Sequence, residues 1–89
     1  MKNNELKVLP EFFSAVVDGK KKAEFRLNDR DFSVGDMLCL CEYGVVEELD
    51  GLEGFSGALV WVRITHVTDL SPWKPGYVML SIELGPFKC

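Results

Sequence analysis

The sequence has 89 residues, of which 47% are hydrophobic and 11% aromatic, and its formal net charge is −4 at pH 7. This length allows one hydrophobic core, the hydrophobic content excludes a disordered chain, and the negative charge argues against a simple nucleic-acid binder. No apolar run approaches the ~20 residues that span a bilayer, and the N-terminus lacks the apolar stretch of a signal peptide. We therefore expect one domain over residues 1–89, located in the cytoplasm and without a membrane partner.

The cysteines and the histidine predict no cofactor. The chain has three cysteines, Cys39, Cys41 and Cys89, and one histidine, His66. Cys39 and Cys41 share one face of a strand, which is a poor geometry for a disulfide bond. With His66 they supply too few ligands for a metal ion. We expect reduced thiols, no metal, no other cofactor, and a His66 that is satisfied within the wall of a barrel.

The first half of the chain predicts a strand, a helix and a second strand. Alternation over residues 5–9 indicates a short strand, and Pro10 begins a helix that ends at Gly19. This helix is too short to be stable alone in water, so it must dock on the sheet. Its predicted apolar stripe consists of Phe12, Phe13, Val16 and Val17. Residues 23–27 follow as a strand, with its polar face toward a solvent-accessible groove and its apolar face opposite.

The second half predicts three further strands, over residues 37–43, 59–68 and 77–84. The strand 37–43 is apolar on both faces, which indicates a central position. Residues 44–57 hold four glycines and several acids, so we expect a mobile acidic loop. Val67 breaks the alternation of its strand, which predicts a bulge near residues 65–66. Together the elements predict an α+β, mainly β fold: a small, partly closed barrel of about five strands with one short helix.

The basic residues are concentrated in one segment. Residues 19–30 contain five basic and two acidic side chains, whereas the remainder contains five basic and twelve acidic ones. A positive island on an acidic body indicates a focused site for an anion. The alternative interpretation is that Lys20, Lys21 and Lys22 form a solvated turn.

This segment supplies the candidate site residues. Lysines follow a helix-ending glycine, where backbone groups are expected to be open, and Glu24 and Arg26 then share one strand face. Lysine and arginine bind phosphate, and a carboxylate with a guanidinium can read a base edge. Trp73, in a loop between two prolines, is expected either to stack on a nucleobase or to cover the open end of the barrel. The candidate residues are Lys20, Lys21, Lys22, Glu24, Arg26, Asn28, Arg30 and Trp73.

The same segment resembles a known family. Gly19, Lys21, Glu24 and Arg26 match the Gly-x-Lys-x-x-Glu-x-Arg signature of ASCH domains, which belong to the PUA-like superfamily. The flanking sequence is similar to a small branch of unknown function within that superfamily, found in bacteria and phages. The flanking segments that carry this similarity are residues 6–13, 28–36 and 76–80.

The resemblance implies a compact β-barrel with a cleft beside the helix that binds RNA or a nucleotide-like ligand. By this analogy, Lys21 and Arg26 contact phosphate or a base carbonyl, and Glu24 orients them or accepts a hydrogen bond from a base. A minority of ASCH proteins are amidohydrolases of acetylated cytidine that use a lysine, a threonine and a distant glutamate. Lys21 matches the lysine, but position 24 is a glutamate instead of threonine, and only Glu83 is a conceivable distant glutamate. Catalysis is therefore the less favoured expectation.

Two further alternatives remain open. Lys21, Glu24 and Arg26 could also form the acid, base and phosphate-binding set of a ribonuclease. The acidic residues between Glu42 and Glu53 could instead make the protein an interaction module that docks on a basic partner. They would repel a long duplex, so the favoured partner is single-stranded RNA or a nucleotide-like ligand, bound by a monomer or a weak homodimer.

Overall fold

Five strands and one helix make up the part of the chain that the computed structural model describes, residues 2–46 and 51–86. The elements are β1 (Asn3–Val8), α1 (Pro10–Val17), β2 (Ala23–Leu27), β3 (Met37–Val46), β4 (Leu52–Asp69) and β5 (Tyr77–Leu84). The helix begins at Pro10, because proline at the first helical position loses no hydrogen bond. None of the helices in these two ranges is long and apolar enough to cross a membrane.

The strands form one curled sheet in the order β1-β3-β4-β5-β2. β1 pairs with β3 in parallel, and the other pairs are antiparallel. The two edge strands approach each other across a seam, where Arg26 Nη2 donates to the carbonyl oxygen of Lys7 at 2.7 Å and Arg30 Nη1 donates to that of Glu5 at 2.6 Å. The sheet is therefore a half-barrel, which confirms the predicted fold class.

The core lies on the concave side of this sheet. α1 contributes Phe13 and Val16, whereas Phe12 and Val17 are 43% and 48% exposed, so the apolar stripe of the helix is narrower than predicted. The described core residues are Leu6, Val8, Phe13, Val16, Phe32, Leu38, Leu40, Val62, Ile64, Val78, Leu80 and Ile82. The predicted central position of β3 is confirmed, since β3 lies between β1 and β4.

The predicted acidic loop over residues 44–57 is wrong for the residues that the structure describes. β3 continues to Val46 and β4 begins at Leu52, and these residues pair as the end of a long hairpin. Gly44 allows β3 to pack closely against the start of α1, because a Cβ at this position would lie only 2.8 Å from Cδ of Pro10. Residues 47–50, which hold three of the acids assigned to the loop, lie outside the described residues.

The bulge predicted near residues 65–66 is confirmed. The pairing of β4 with β5 shifts between Ile64, opposite Ile82, and His66, opposite Ser81. His66 is exposed, and its Nδ1 lies 3.2 Å from Thr68 Oγ1. His66 therefore lies on a strand of the half-barrel with a partner for its ring nitrogen, as predicted, but its side chain faces solvent because a bulge re-aims the side chains that follow it.

Replacing Gly44 with alanine tests the close approach of β3 to the start of α1. The new Cβ would overlap the Pro10 ring, so Gly44→Ala should lower the free energy of unfolding by about 1–3 kcal/mol. Urea denaturation measures this loss. In the double variant with Pro10→Ala the cost should be smaller than the sum of the two single costs, since the ring is gone. Additive costs, or no loss in Gly44→Ala, would contradict the packing described here.

Candidate functional site

The side chains of β2 alternate as predicted, with Glu24 and Arg26 on one face and Phe25 and Leu27 on the other, but the polar face is the more buried one. Glu24 is only 4% exposed, while Phe25 and Leu27 are 50% and 48% exposed. Glu24 and Arg26 pair in register with Leu80 and Val78 of β5, two core residues. The polar face of β2 therefore lies on the inner side of the sheet, near the helix and the seam, and its apolar face points outward.

Glu24 is a buried carboxylate that is paired on both oxygens. Oε1 accepts a hydrogen bond from Lys21 Nζ at 3.0 Å, and Oε2 accepts one from Arg26 Nε at 3.2 Å. Lys21 Nζ also donates to the carbonyl oxygen of Ala23. A carboxylate this buried would be costly without such partners. We call these three residues, Lys21, Glu24 and Arg26, the Glu24 cluster, and its formal charge is +1.

The C-terminus of the helix places Lys21 in this cluster. Gly19 takes a left-handed conformation (φ 77°), which ends the helix, and the amides of Lys20 and Lys21 both donate to the carbonyl oxygen of Ala15 at 2.9 and 3.0 Å. The expectation of open backbone groups in the lysine turn is therefore wrong, because these two amides cap the helix. The side chain of Lys21, and not its amide, is therefore what this residue offers to a ligand.

Asn28 and Arg30 hold the chain at the seam. Arg30 bonds to the β1 carbonyl of Glu5, and Lys2 Nζ in turn donates to the carbonyl oxygens of Arg30 and Asp31 at 2.7 and 2.6 Å. The side-chain oxygen of Asn28 accepts from the amide of Phe32 at 3.0 Å. These contacts are structural, although Arg30 also lines a neighbouring groove together with Arg26 and Lys7.

A groove of about 360 Å³ opens over the Glu24 cluster, between α1, β1 and β2. We call it the seam groove. It presents the rings of Phe12 and Phe25, which are 43% and 50% exposed, and Lys21 Nζ lies 5.8 Å from the centroid of the Phe12 ring. The lining residues are Lys7, Val8, Leu9, Phe12, Lys21, Glu24, Phe25 and Arg26. Cations and aromatic faces thus surround one fixed carboxylate.

Sequence reasoning missed Lys7, Phe12 and Phe25 as groove residues. The helical stripe predicts that Phe12 packs inward, and the alternation of residues 23–27 places Phe25 opposite the polar face that is directed toward the groove. Nothing local in the sequence indicates that β1 and β2 meet. The alternation of β1 predicts that Lys7 is exposed between the buried Leu6 and Val8. Alternation alone does not predict which other residues an exposed lysine lies against.

The remaining candidates lie apart from the groove. Lys20 and Lys22 are exposed at the helix end, and the carbonyl oxygen of Lys22 accepts from the amide of Ile82 at 3.0 Å. Trp73 is 78% exposed, so it does not cover the barrel end, and it does not line the seam groove. Its loop follows Asp69, whose pKa is lowered by hydrogen bonds from the hydroxyl and the amide of Ser71.

Glu83, the conceivable catalytic glutamate, lies in a different cavity of about 260 Å³. Lys21 reaches the edge of this cavity too, since it lines both spaces. Glu83 is in an ion pair with Arg63 of β4. Neither Glu83 nor Arg63 lines the seam groove.

The chain matches one protein family and a phage protein over most of its length. A family model described as "Domain of unknown function (DUF3850)" matches residues 3–82, and the chain belongs to this family. The "Uncharacterized 12.9 kDa protein in GpA 3'region" of Escherichia phage P2 is 44% identical over 84 residues, which cover 94% of this chain and 71% of the phage protein. The family match covers β1, α1, β2, β3 and β4 completely and most of β5, and it includes the Glu24 cluster.

The Glu24 cluster should contribute to stability. Arg26→Met would leave one oxygen of the buried Glu24 carboxylate without its cation and would remove the bond to β1. We expect a loss of about 1–3 kcal/mol in the free energy of unfolding, below the cost for a fully buried pair because Arg26 is 27% exposed. Urea denaturation followed by circular dichroism measures it.

Two controls separate this effect from a general loss of charge. Lys22→Met removes an exposed cation and should change stability by no more than about 0.5 kcal/mol. The loss of stability in the double variant Glu24→Gln with Arg26→Met should be about 1 kcal/mol smaller than the sum of the losses in the two single variants. Strict additivity would show that Glu24 and Arg26 are not coupled.

Proposed function

We propose that the protein binds single-stranded RNA or a single nucleotide in the seam groove. The observation that carries this proposal is the groove itself, which combines two half-exposed phenylalanine rings with three cations around an anchored carboxylate. Stacking on aromatic rings and contact with phosphates through lysine and arginine are the two main sources of affinity for single strands. The excess of positive charge in residues 19–30 agrees with an anionic ligand.

Each part of the groove suits a part of a nucleotide. Lys7 and Lys21 supply ammonium groups for phosphate, the Lys21 group held by Glu24 and the Lys7 group held over the Tyr43 ring. Phe12 supplies a ring beside Lys21 for a base to stack on. The guanidinium of Arg26 has five N–H donors, and its bonds to Glu24 and to the Lys7 carbonyl use two of them. The others can donate to a base carbonyl or a phosphate oxygen. This is the division of roles that the ASCH resemblance implies for Lys21, Glu24 and Arg26.

The size of the groove favours an unpaired ligand. A volume of about 360 Å³ falls in the range of pockets for small molecules. A base can reach Phe12 or Phe25 only if it is unstacked from its neighbours, which is the state of single-stranded loops and ends. The acidic charge of the rest of the chain works against a duplex that would extend across the surface.

The contacts of Glu24 favour binding over hydrolysis. Both carboxylate oxygens accept from cations, so Glu24 is a charged anchor and is not positioned as a free general base. Glu83, paired with Arg63, stands outside the seam groove. We therefore propose an ASCH-type, PUA-like RNA-binding domain in the cytoplasm, and we do not extend the proposal to the amidohydrolase or ribonuclease alternatives or to the acidic interaction module.

Fluorescence anisotropy of short labelled RNA tests this proposal. Wild-type protein should bind single-stranded RNA more tightly than duplex RNA, with affinity that falls as salt rises. Lys21→Gln should weaken binding and reduce the magnitude of the salt slope by about one. Phe12→Ala should cost about 1–3 kcal/mol of binding free energy through lost stacking.

Two matched variants serve as controls. Lys74→Gln removes the same charge in the loop of Trp73, and Val17→Ala removes an exposed apolar side chain from the same helix as Phe12. Both should bind as the wild type does. If Lys74→Gln weakens binding as much as Lys21→Gln, or if no variant at the groove has an effect, the seam groove is not the RNA site.

A further inference from the structure

A second cluster of functional side chains lies next to the seam groove, where β1 pairs with β3. The parallel register sets Glu5 opposite Cys39, and Cys41 follows two residues along β3. One carboxylate oxygen of Glu5 and the sulfur atoms of Cys39 and Cys41 all lie within 4.8 Å of one another. We call these three residues the thiol–carboxylate cluster. The proposed RNA-binding function does not use them.

We propose that this cluster binds a thiophilic divalent metal ion, with Zn²⁺ as the ion it suits best. The two sulfur atoms are 3.8 Å apart. Two thiolates bound to one tetrahedral zinc at ~2.3 Å each are separated by ~3.8 Å, so the pair already has the required spacing. A disulfide bond would require these sulfurs to approach to ~2.05 Å. Two thiolates and one carboxylate also form a donor set that zinc accepts.

The exposure of the three ligands increases from Cys39 to Cys41 to Glu5, which indicates the side from which an ion would enter. Cys39 is only 2% exposed, Cys41 is half-buried and Glu5 is exposed. Glu5 and Cys41 line a groove of about 250 Å³ beside Phe55, which gives access from solvent. The ion would therefore sit with its thiolate side against the sheet and its carboxylate side toward water. Three protein ligands leave the fourth tetrahedral position to a water molecule or to an external ligand.

A neighbouring cation offsets the charge of the loaded site. Two thiolates and one carboxylate carry −3, so a bound Zn²⁺ leaves −1. Lys7 lies next along β1 on the same side as Glu5, in register with Cys41, and its Nζ is 4.5 Å from the centroid of the Tyr43 ring. The ring holds this ammonium group beside the cluster. Sequence reasoning excluded a metal because it counted Cys39, Cys41 and His66, whereas the third ligand comes from a strand that is distant in sequence.

Zinc titration of the reduced 89-residue chain against a chromophoric chelator tests the proposal. Cys89, which lies outside the described residues, is replaced by serine in every sample so that it cannot contribute a thiolate. Cys89→Ser protein should bind one Zn²⁺ per chain. Adding Cys41→Ser, a change at a half-buried position, should weaken binding at least ~10-fold, and adding Glu5→Gln should weaken it measurably. Co²⁺ in place of Zn²⁺ should give a thiolate-to-metal charge-transfer band that Cys41→Ser reduces.

The matched control is Glu42→Gln, which removes a carboxylate next to Cys41 but outside the cluster. It should bind Zn²⁺ as tightly as its Cys89→Ser parent. Circular dichroism of each variant distinguishes a loss of zinc binding from a loss of folding. If a cysteine variant unfolds, the exposed Glu5→Gln variant still tests the site. The proposal is overturned if Cys89→Ser alone abolishes binding, if Glu42→Gln weakens it as much as Glu5→Gln, or if one Zn²⁺ bridges two chains.

Discussion

The buried carboxylate of Glu24 is the constraint on which the site depends. A charge at 4% exposure is tolerated only if it is paired and hydrogen-bonded, and Lys21 and Arg26 each take one of its oxygens. The two partners come from different places: Lys21 from the turn that ends α1, and Arg26 from β2 itself. The guanidinium of Arg26 also donates a hydrogen bond to the backbone carbonyl of Lys7 in β1. One carboxylate thus ties the helix, one edge strand and, through Arg26, the other edge strand together.

This arrangement explains why the groove exists where it does. The two edge strands of the half-barrel do not pair with each other by a backbone ladder over the described residues, and side chains bridge the seam instead. Long arginine side chains span a gap that backbone hydrogen bonds cannot, so a space remains above them. Phe12 and Phe25 border this space because the helix and β2 bury only part of their apolar surface. The seam is therefore both a structural closure and the proposed ligand site.

Local patterns in the sequence predicted much of the fold. The bounds of β2 and β5, the helix start at Pro10, the helix end at Gly19 and the bulge after Ile64 all follow from periodicity and from the properties of proline and glycine. The extension of β3 and β4 into residues 44–57 was missed because the glycines there resemble a loop. The packing of Gly44 on Pro10 is a tertiary contact that local rules do not contain.

The Glu24 cluster was predicted in composition, but neither its burial nor the other residues of the groove were predicted. The sequence identified Lys21, Glu24 and Arg26 as a group, and the structure brings them together. It did not indicate that Glu24 is buried, because a charged strand residue is ordinarily expected to face solvent. Nor did it indicate that β1 runs beside both sites: Lys7 lines the seam groove, and Glu5 lies beside the cysteines. Both facts depend on the parallel pairing of β1 with β3, which is non-local.

The most direct test of the central claim is an amide chemical-shift map of isotope-labelled protein during titration with a single-stranded RNA trinucleotide. The account predicts that the largest shifts fall on residues around the seam groove, at Lys7, Phe12, Lys21, Phe25 and Arg26, and that they saturate together. Shifts concentrated in the loop of Trp73 or along the β3–β4 hairpin, or no shifts at low salt, would contradict the proposal that the seam groove binds RNA.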